Sequence, residues 1–160
     1  MTLPRARTST EKLGWVLGTW FGCGLVPIAP GTVGTIGALP LYYAVRGHGT
    51  AALLALVLVV TCVAIWSAGV VAGVVGRHDP QIVVIDEVAG VLVPLAIAPP
   101  TVAGVVVSVV LFRIFDMTKP FPARAAERLP RGYGIVLDDT FAGAWAAAFV
   151  LGLAHLGVLG

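Results

Sequence analysis

Charge is what this chain has least of. Only 11% of its 160 residues are Asp, Glu, Lys or Arg, against about 25% in an ordinary soluble domain, while 58% are hydrophobic. Ten cations against eight acids leave a net charge of +2, too little for a basic nucleic-acid stripe, so no nucleic-acid partner is expected. Cysteine is equally scarce. Cys23 and Cys62 lie in apolar surroundings without paired spacing, which argues against a disulfide framework or a thiolate metal knuckle. Several catalytic signatures are missing as well. Neither cysteine has an arginine six positions on (Ala29 and Ala68 stand there), and there is no G-x-S-x-G, H-E-x-x-H, Asp-x-Asp or D-G-x-x-A-R pattern. Cysteine phosphatases, serine hydrolases, zinc proteases, aspartyl-phosphate phosphatases and the membrane head-group transferases are thereby set aside. What remains is metal-assisted chemistry or no chemistry.

What the chain has in abundance is uncharged length. The stretches 13–45, 47–76, 88–112 and 140–160 carry no charged residue, and mean hydropathy is +0.98. A membrane-crossing helix needs about 20 apolar residues. The expected fold is therefore all-α, a polytopic helical membrane protein forming one domain over residues 1–160, with about four apolar helical segments, some broken by Pro or Gly. Residues 51–76 read as the cleanest span. The Ala- and Gly-rich segment from Thr140 onward should pack inside the bundle, since small residues let helices approach closely. Pro27, Pro30 and Gly31 exclude one straight helix over 13–45, and Pro94 with Pro99-Pro100 predicts a kink or a turn in 88–112. Arg5, Arg7 and Lys12 precede the first apolar run without a cleavage pattern, so residues 1–12 read as a retained cytoplasmic segment. The 113–139 connection holds Arg113, Lys119, Arg124, Arg128 and Arg131 and belongs on the same side. Within it, Pro122 is placed to open a short helix running to Leu129, with Arg124 and Arg128 on one face.

Seven of the eight acids fall in the connections 77–87 and 113–139. Asp86-Glu87 and Asp138-Asp139 each precede an apolar segment, where one carboxylate can cap a helix N-terminus. Capping explains one acid per helix and leaves the second free to face inward. Asp116 stands at a helix C-terminus, which disfavours negative charge, so Arg113 and Lys119, each three residues away, are its expected partners. That arrangement reads either as a local ion pair or as a cation ligand with Lys119 poised for a phosphate. If Asp79, Asp86, Glu87, Asp116, Asp138 and Asp139 converge, the donor set is all oxygen and suits Mg2+ or Mn2+. His78 reads as solvated loop polarity or as a proton shuttle. Pro30-Gly31-Thr32 forms a turn opening a helix, and free N–H groups there can hold phosphate. Gly31, Gly34 and Gly37 equally make a packing face.

With these residues on the page, the sequence resembles the phosphatidylglycerophosphatase A family, bacterial membrane lipid phosphatases. The blocks that carry the resemblance are FGCGLVPIAPGTVGT at 21–35, HDPQIVVIDEVAGV at 78–91 and FRIFDMTKPFPARAAERLPRGYGIVLDDTFAG at 112–143. Cys23 stands where Ser is usual, Thr118 where a bulky aromatic is usual, and Pro130-Arg131 replaces a more His- or Gly-rich approach to the following turn. The resemblance implies a Mg2+-dependent enzyme of phospholipid biosynthesis that removes the terminal phosphate of phosphatidylglycerophosphate. It would sit in the bacterial inner (cytoplasmic) membrane as a multi-pass protein, its active site on the cytoplasmic side and its phospholipid substrate in the bilayer.

On that basis Asp86, Glu87, Asp116, Asp138 and Asp139 are the expected ligands of one or two Mg2+ ions, and Asp79 or Glu87 the base toward water. Lys119 and Arg113 would neutralise the phosphoryl oxygens, with Gly31 and Thr32 as a further anion site. The two acidic connections flank one apolar stretch, so either a hairpin or strong bend at Pro99-Pro100, the favoured reading, brings them to one side, or the acids reach a shared polar cavity within the bundle. The competing readings are a phosphatase for a different lipid phosphate and a non-enzymatic transporter or assembly protein, whose mark would be an ionisable residue at the midplane of a span.

Overall fold

The structure, a computed structural model, describes residues 8–159; Arg5 and Arg7 of the expected cytoplasmic segment lie outside the described residues. Every regular element among the described residues is helical: α1 (Ser9–Gly18), α2 (Pro30–Gly37), α3 (Leu39–Val45), α4 (Thr50–Val75), α5 (Ile85–Ile97), α6 (Val102–Thr118), α7 (Ala123–Ala126) and α8 (Gly132–His155), with 3-10 turns at Cys23–Leu25 and Arg46–His48.

Local chemistry sets the boundaries. A capping box opens α1: Glu11 N–H donates to the Thr8 hydroxyl at 3.2 Å, and Thr8 N–H donates to the Glu11 carboxylate at 3.1 Å. After α1 the left-handed residues Trp20, Phe21 and Gly22 turn the chain. Pro30 then occupies the first turn of α2, where its missing N–H costs nothing. The 13–45 stretch is thus a broken element built from α1, α2 and α3. At Pro99-Pro100 the helix stops, and Thr101 restarts it by accepting from Gly104 N–H at 3.0 Å. The expected hairpin is present, because Arg113 near the end of α6 reaches Glu87 at the start of α5.

Of the four apolar segments, two are clear candidates to cross a membrane. Among the described residues only α4 and α8, at 26 and 24 residues, are long and apolar enough to cross a membrane. At 1.5 Å per residue the 13 residues of α5 and 17 of α6 fall short of a hydrocarbon core about 30 Å thick. Proline accounts for the difference, having cut one apolar run into two helices. The two long helices fit membrane association, as does the exterior, where Leu58 and Val59 on α4 and Phe149 and Leu151 on α8 are exposed.

Close backbone crossings hold the bundle. A Cβ on Gly132 would strike the Ile65 carbonyl, so the start of α8 lies directly against α4. A Cβ on Gly143 would strike the Gly90 carbonyl, and one on Gly90 would lie 2.8 Å from the Asp139 carbonyl oxygen. The crossing of α5 and α8 is accordingly the most extensive helix packing in the molecule, and Phe112 of α6, fully buried, fills the angle beside it. Helices α5 and α8 run parallel in direct contact, and α6 returns antiparallel beside both. The connection after α4 is tied down where Val84 N–H donates to the Gly18 carbonyl at 3.0 Å.

Candidate active site

Each glycine of the α5–α8 crossing has an aspartate one turn before it, Asp86 before Gly90 and Asp139 before Gly143. A helical residue lies on the same face as the one four positions on, so a crossing that presses the glycines together also faces the two carboxylates toward each other. Asp86 and Asp139 are 8% and 4% exposed, nearly sealed from solvent. Glu87 completes the group. One carboxylate oxygen from each of Asp86, Glu87 and Asp139 lies within 4.8 Å of the others.

Neither acid pair caps its helix. Val84 stands at the N-cap of α5 and Arg131 at that of α8, without side-chain caps, and α8 starts at Gly132, so Asp138 and Asp139 fall in its second turn. The capping expectation is therefore corrected: the acids are turned into the bundle. Asp86 and Glu87 do sit in the first turn of α5, where the helix dipole favours negative charge.

The remaining predicted residues gather around this centre. A cavity of about 300 Å³ is lined by Asp79, Asp86, Glu87, Asp116, Asp138 and Asp139, together with Gly31, Arg113 and Lys119. Arg113 Nη1 stands 2.7 Å from Asp116 Oδ2 and 3.9 Å from Glu87 Oε1, so the expected partnership of Asp116 with Arg113 is formed. Lys119 departs from expectation. Helix α6 ends at Thr118, and Lys119 takes a left-handed conformation, φ 45°, that carries it away from Asp116. Its Nζ instead lies 2.6 Å from Asp138 Oδ2 and 3.1 Å from Glu127 Oε1.

Gly31 explains itself sterically. A Cβ there would collide with Glu87 Oε1 and approach Arg113 Nη1 to 3.2 Å, so the bare glycine leaves room for the carboxylate. Gly31 also sits in the first turn of α2, directly after Pro30, and borders the cavity. Thr32 is exposed and does not line the cavity, so only its neighbour joins the site; Asp79 is exposed on the rim, and His78 lies apart in a groove against α4. Sequence reasoning gave no role to Glu127 or Gln81. Glu127 reaches Lys119 across the α7 turn, a non-helical spacing that no periodicity reveals, and Gln81 lines the cavity from an irregular loop.

The electrostatics are those of a cation site. Asp86 Oδ1 and Glu87 Oε2 are buried without any hydrogen-bond partner, a cost that buried carboxylates in water-poor surroundings rarely bear unless a ligand satisfies them. Burial, then the facing charges of Glu87, Asp139 and Asp79, push the Asp86 carboxyl well above its ordinary range. Burial raises Glu87 too, outweighing its hydrogen bond with Asp86 and the Arg113 charge. For Lys119, burial works against the charge, but hydrogen bonds and attraction from Asp138 and Glu127 prevail and hold the ammonium protonated above the usual lysine range. With two cations fixed on its edge and carboxylates alone at its centre, the cavity can hold a divalent cation and an anion together.

A protein-family model described as phosphatidylglycerophosphatase A matches residues 16–154. Curated relatives include a putative phosphatidylinositol-3-phosphatase from Bacteroides thetaiotaomicron, 37% identical over 142 residues, covering 82% of this chain and 87% of the relative. A phosphatidylglycerophosphatase A from Escherichia coli is 33% identical over 160 residues, covering 97% and 93%. One from Haemophilus influenzae is 31% identical over 143 residues, covering 88% of each. No solved structure gives a significant match.

Proposed function

The chain belongs to the phosphatidylglycerophosphatase A family, and from that premise we propose that it hydrolyses the terminal phosphate of phosphatidylglycerophosphate, giving phosphatidylglycerol and inorganic phosphate with the help of Mg2+. The observation that carries the reading is the buried group of Asp86, Glu87 and Asp139, whose oxygens cluster within 4.8 Å while Asp86 Oδ1 and Glu87 Oε2 lack partners. An all-oxygen donor set of this charge fits a hard divalent cation. Asp86, Glu87 and Asp139 would hold Mg2+, with Asp116 and Asp138 beside them, and the ion would supply Lewis-acid polarisation of the phosphoryl group.

The chain's own residues do the rest. Arg113 and the Gly31 amide in the first turn of α2 orient the phosphoryl oxygens at the cavity edge. Asp79, on the open rim, takes the proton from the attacking water as the new P–O bond forms, and that proton is passed on, directly or through rim water, to the glycerol oxygen as its bond to phosphorus breaks. Lys119 stays an ammonium, holds Asp138 in place and lends positive charge without releasing its proton. Arg77 directly follows α4 and leads into the loop that carries Asp79, and Arg131 directly precedes α8, the helix that carries Asp138 and Asp139, which supports a cytoplasmic site by the positive-inside rule. The acyl chains then remain in the bilayer while the head group enters the cavity.

The name of the Bacteroides relative favours a second reading, hydrolysis of a phosphoinositide monoester by the same centre. Phosphate release from both lipids in detergent micelles, with Mg2+ and with chelator, tests the two together. Wild type is expected to release phosphate faster from phosphatidylglycerophosphate and only with Mg2+, and Asp86→Asn and Asp139→Asn are each expected to lose at least about 100-fold. No release with Mg2+, or full activity in both variants, defeats the proposal. Preference for the phosphoinositide selects the second reading.

A further inference from the structure

A second hollow, of about 480 Å³, adjoins the carboxylate cavity and shares Lys119 with it. It lies where α6 ends and α7 begins, and Thr118, Phe121, Arg124 and Arg128 contribute to its wall. Its character is the reverse of the first. No carboxylate lines it, and among the described residues neither Arg124 nor Arg128 is paired with an acid. The α7 turn spaces the two arginines four residues apart, so both guanidinium groups serve one hollow. Lys119 forms the partition, its Nζ bound to Asp138 on the cavity side.

The surroundings indicate which part of a ligand belongs here. Phe121 is 80% exposed and Met117 77% exposed at the mouth, and the exposed residues Ile114, Val110 and Val106 continue an apolar stripe along α6 at helical spacing. A molecule entering from lipid would lay its hydrocarbon along that stripe, meet the arginines next and the carboxylate centre last. The order apolar, cationic, metal-binding is the order acyl chain, phosphodiester, phosphomonoester.

We infer that the Arg124–Arg128 hollow is a subsite for the inner phosphodiester of the lipid, so that the enzyme measures two phosphates separated by a glycerol unit. This rests on the proposed phosphatase reading for the outer phosphate, but the recognition is a separate act. Arginine suits it because its planar fork grips phosphate oxygens with paired hydrogen bonds. A lipid with a single phosphomonoester on its diacylglycerol would leave the hollow without its anion, and selectivity follows from that difference.

The test compares equilibrium binding of two soluble head groups to the full chain in detergent: deacylated phosphatidylglycerophosphate, with two phosphates, and glycerol phosphate, with one. Wild type is expected to bind the first roughly tenfold tighter or more, and the Arg124→Gln/Arg128→Gln variant to bind both about equally, with melting temperature retained. Arg124→Lys/Arg128→Lys should keep part of the preference. A parallel arm measures retention on vesicles containing phosphatidylglycerol. An undiminished two-phosphate preference in the glutamine variant overturns the inference; if vesicle retention alone falls, the arginines serve bulk anionic lipid instead. Two-phosphate preference without any phosphate release would leave the subsite standing and remove the phosphatase reading.

Discussion

Replacing Gly31 by alanine separates the fold of this protein from its chemistry. The added Cβ would overlap Glu87 Oε1 and lie 3.1 Å from Glu87 Cδ and 3.2 Å from Arg113 Nη1, so its nearest neighbours are all side-chain atoms. What must yield is the tip of a flexible side chain, so the helix survives. Indeed alanine is better than glycine inside a helix by roughly 0.5–1 kcal/mol, and Gly31 has ordinary helical backbone angles. To regain ordinary contact the Glu87 carboxylate has to retreat by on the order of 1 Å, and a displacement of that size in a reacting constellation costs about 100-fold in rate, or about 2.7 kcal/mol in the barrier. The expected result is a Gly31→Ala protein with unchanged or higher melting temperature, activity down about 100-fold, and a higher Mg2+ concentration for half-maximal rate. Gly34→Ala makes the contrast. Its Cβ would sit 2.8 Å from Val84 Cβ and 2.9 Å from the Val84 carbonyl oxygen, which cannot swing aside, so stability falls first. Wild-type activity and Mg2+ dependence in Gly31→Ala would refute the assignment of Glu87 to the metal group.

Three further outcomes follow from the geometry. Gly143→Ala drives a Cβ into the Gly90 carbonyl and to 3.1 Å from Val93 Cβ, so thermal unfolding in detergent should show a loss of roughly 1–3 kcal/mol; an unshifted melting temperature would contradict the close crossing. Asp86 and Glu87 have raised folded-state values, so the stability they lend is present while they are protonated and is lost as pH climbs through those values. Metal-free protein should therefore melt lower at about pH 8 than at about pH 5, and Mg2+ should raise the melting temperature more at the higher pH; a stabilisation by Mg2+ that shrinks as pH rises would count against the cluster. Lys119→Met strands Asp138 without its 2.6 Å partner and should cost roughly 1–3 kcal/mol, much of it restored in Lys119→Met/Asp138→Asn; strict additivity of the two changes would show that the pair is not coupled.

The acids of the centre were legible in the sequence because charge is so rare that each one near an apolar run demands a reason. Their convergence was legible too, through Pro99-Pro100, since a proline pair inside an apolar run forces the chain back. Helix boundaries were not. Asp138-Asp139 reads as the edge of an apolar segment, yet α8 begins at Gly132, because the bare glycine lies against the Ile65 carbonyl and the buried carboxylates are turned toward Lys119 and toward Asp86 and Glu87 rather than toward solvent. Hydropathy registers the polar atoms and is blind to the tertiary partners that make them tolerable. The Lys119–Glu127 contact was hidden for a different reason. It depends on a left-handed residue at 119, where helical spacing stops being a guide.

The crossing of Gly90 with Gly143 is the tightest point between α5 and α8, and it is about this point that a tilt of α8 would turn. Asp86 and Asp139 stand one helical turn from it, a lever arm of about 6 Å at 1.5 Å per residue, whereas the far end of α8 at His155 is about 18 Å away. A change of about 10° in the tilt of α8, such as a thinner or thicker bilayer imposes, moves the far end by about 3 Å and the carboxylates by only about 1 Å. The reacting groups occupy the short arm of the lever, so a lean of α8 displaces them only about a third as far as its far end, yet still by on the order of 1 Å, a distance to which the rate is sensitive.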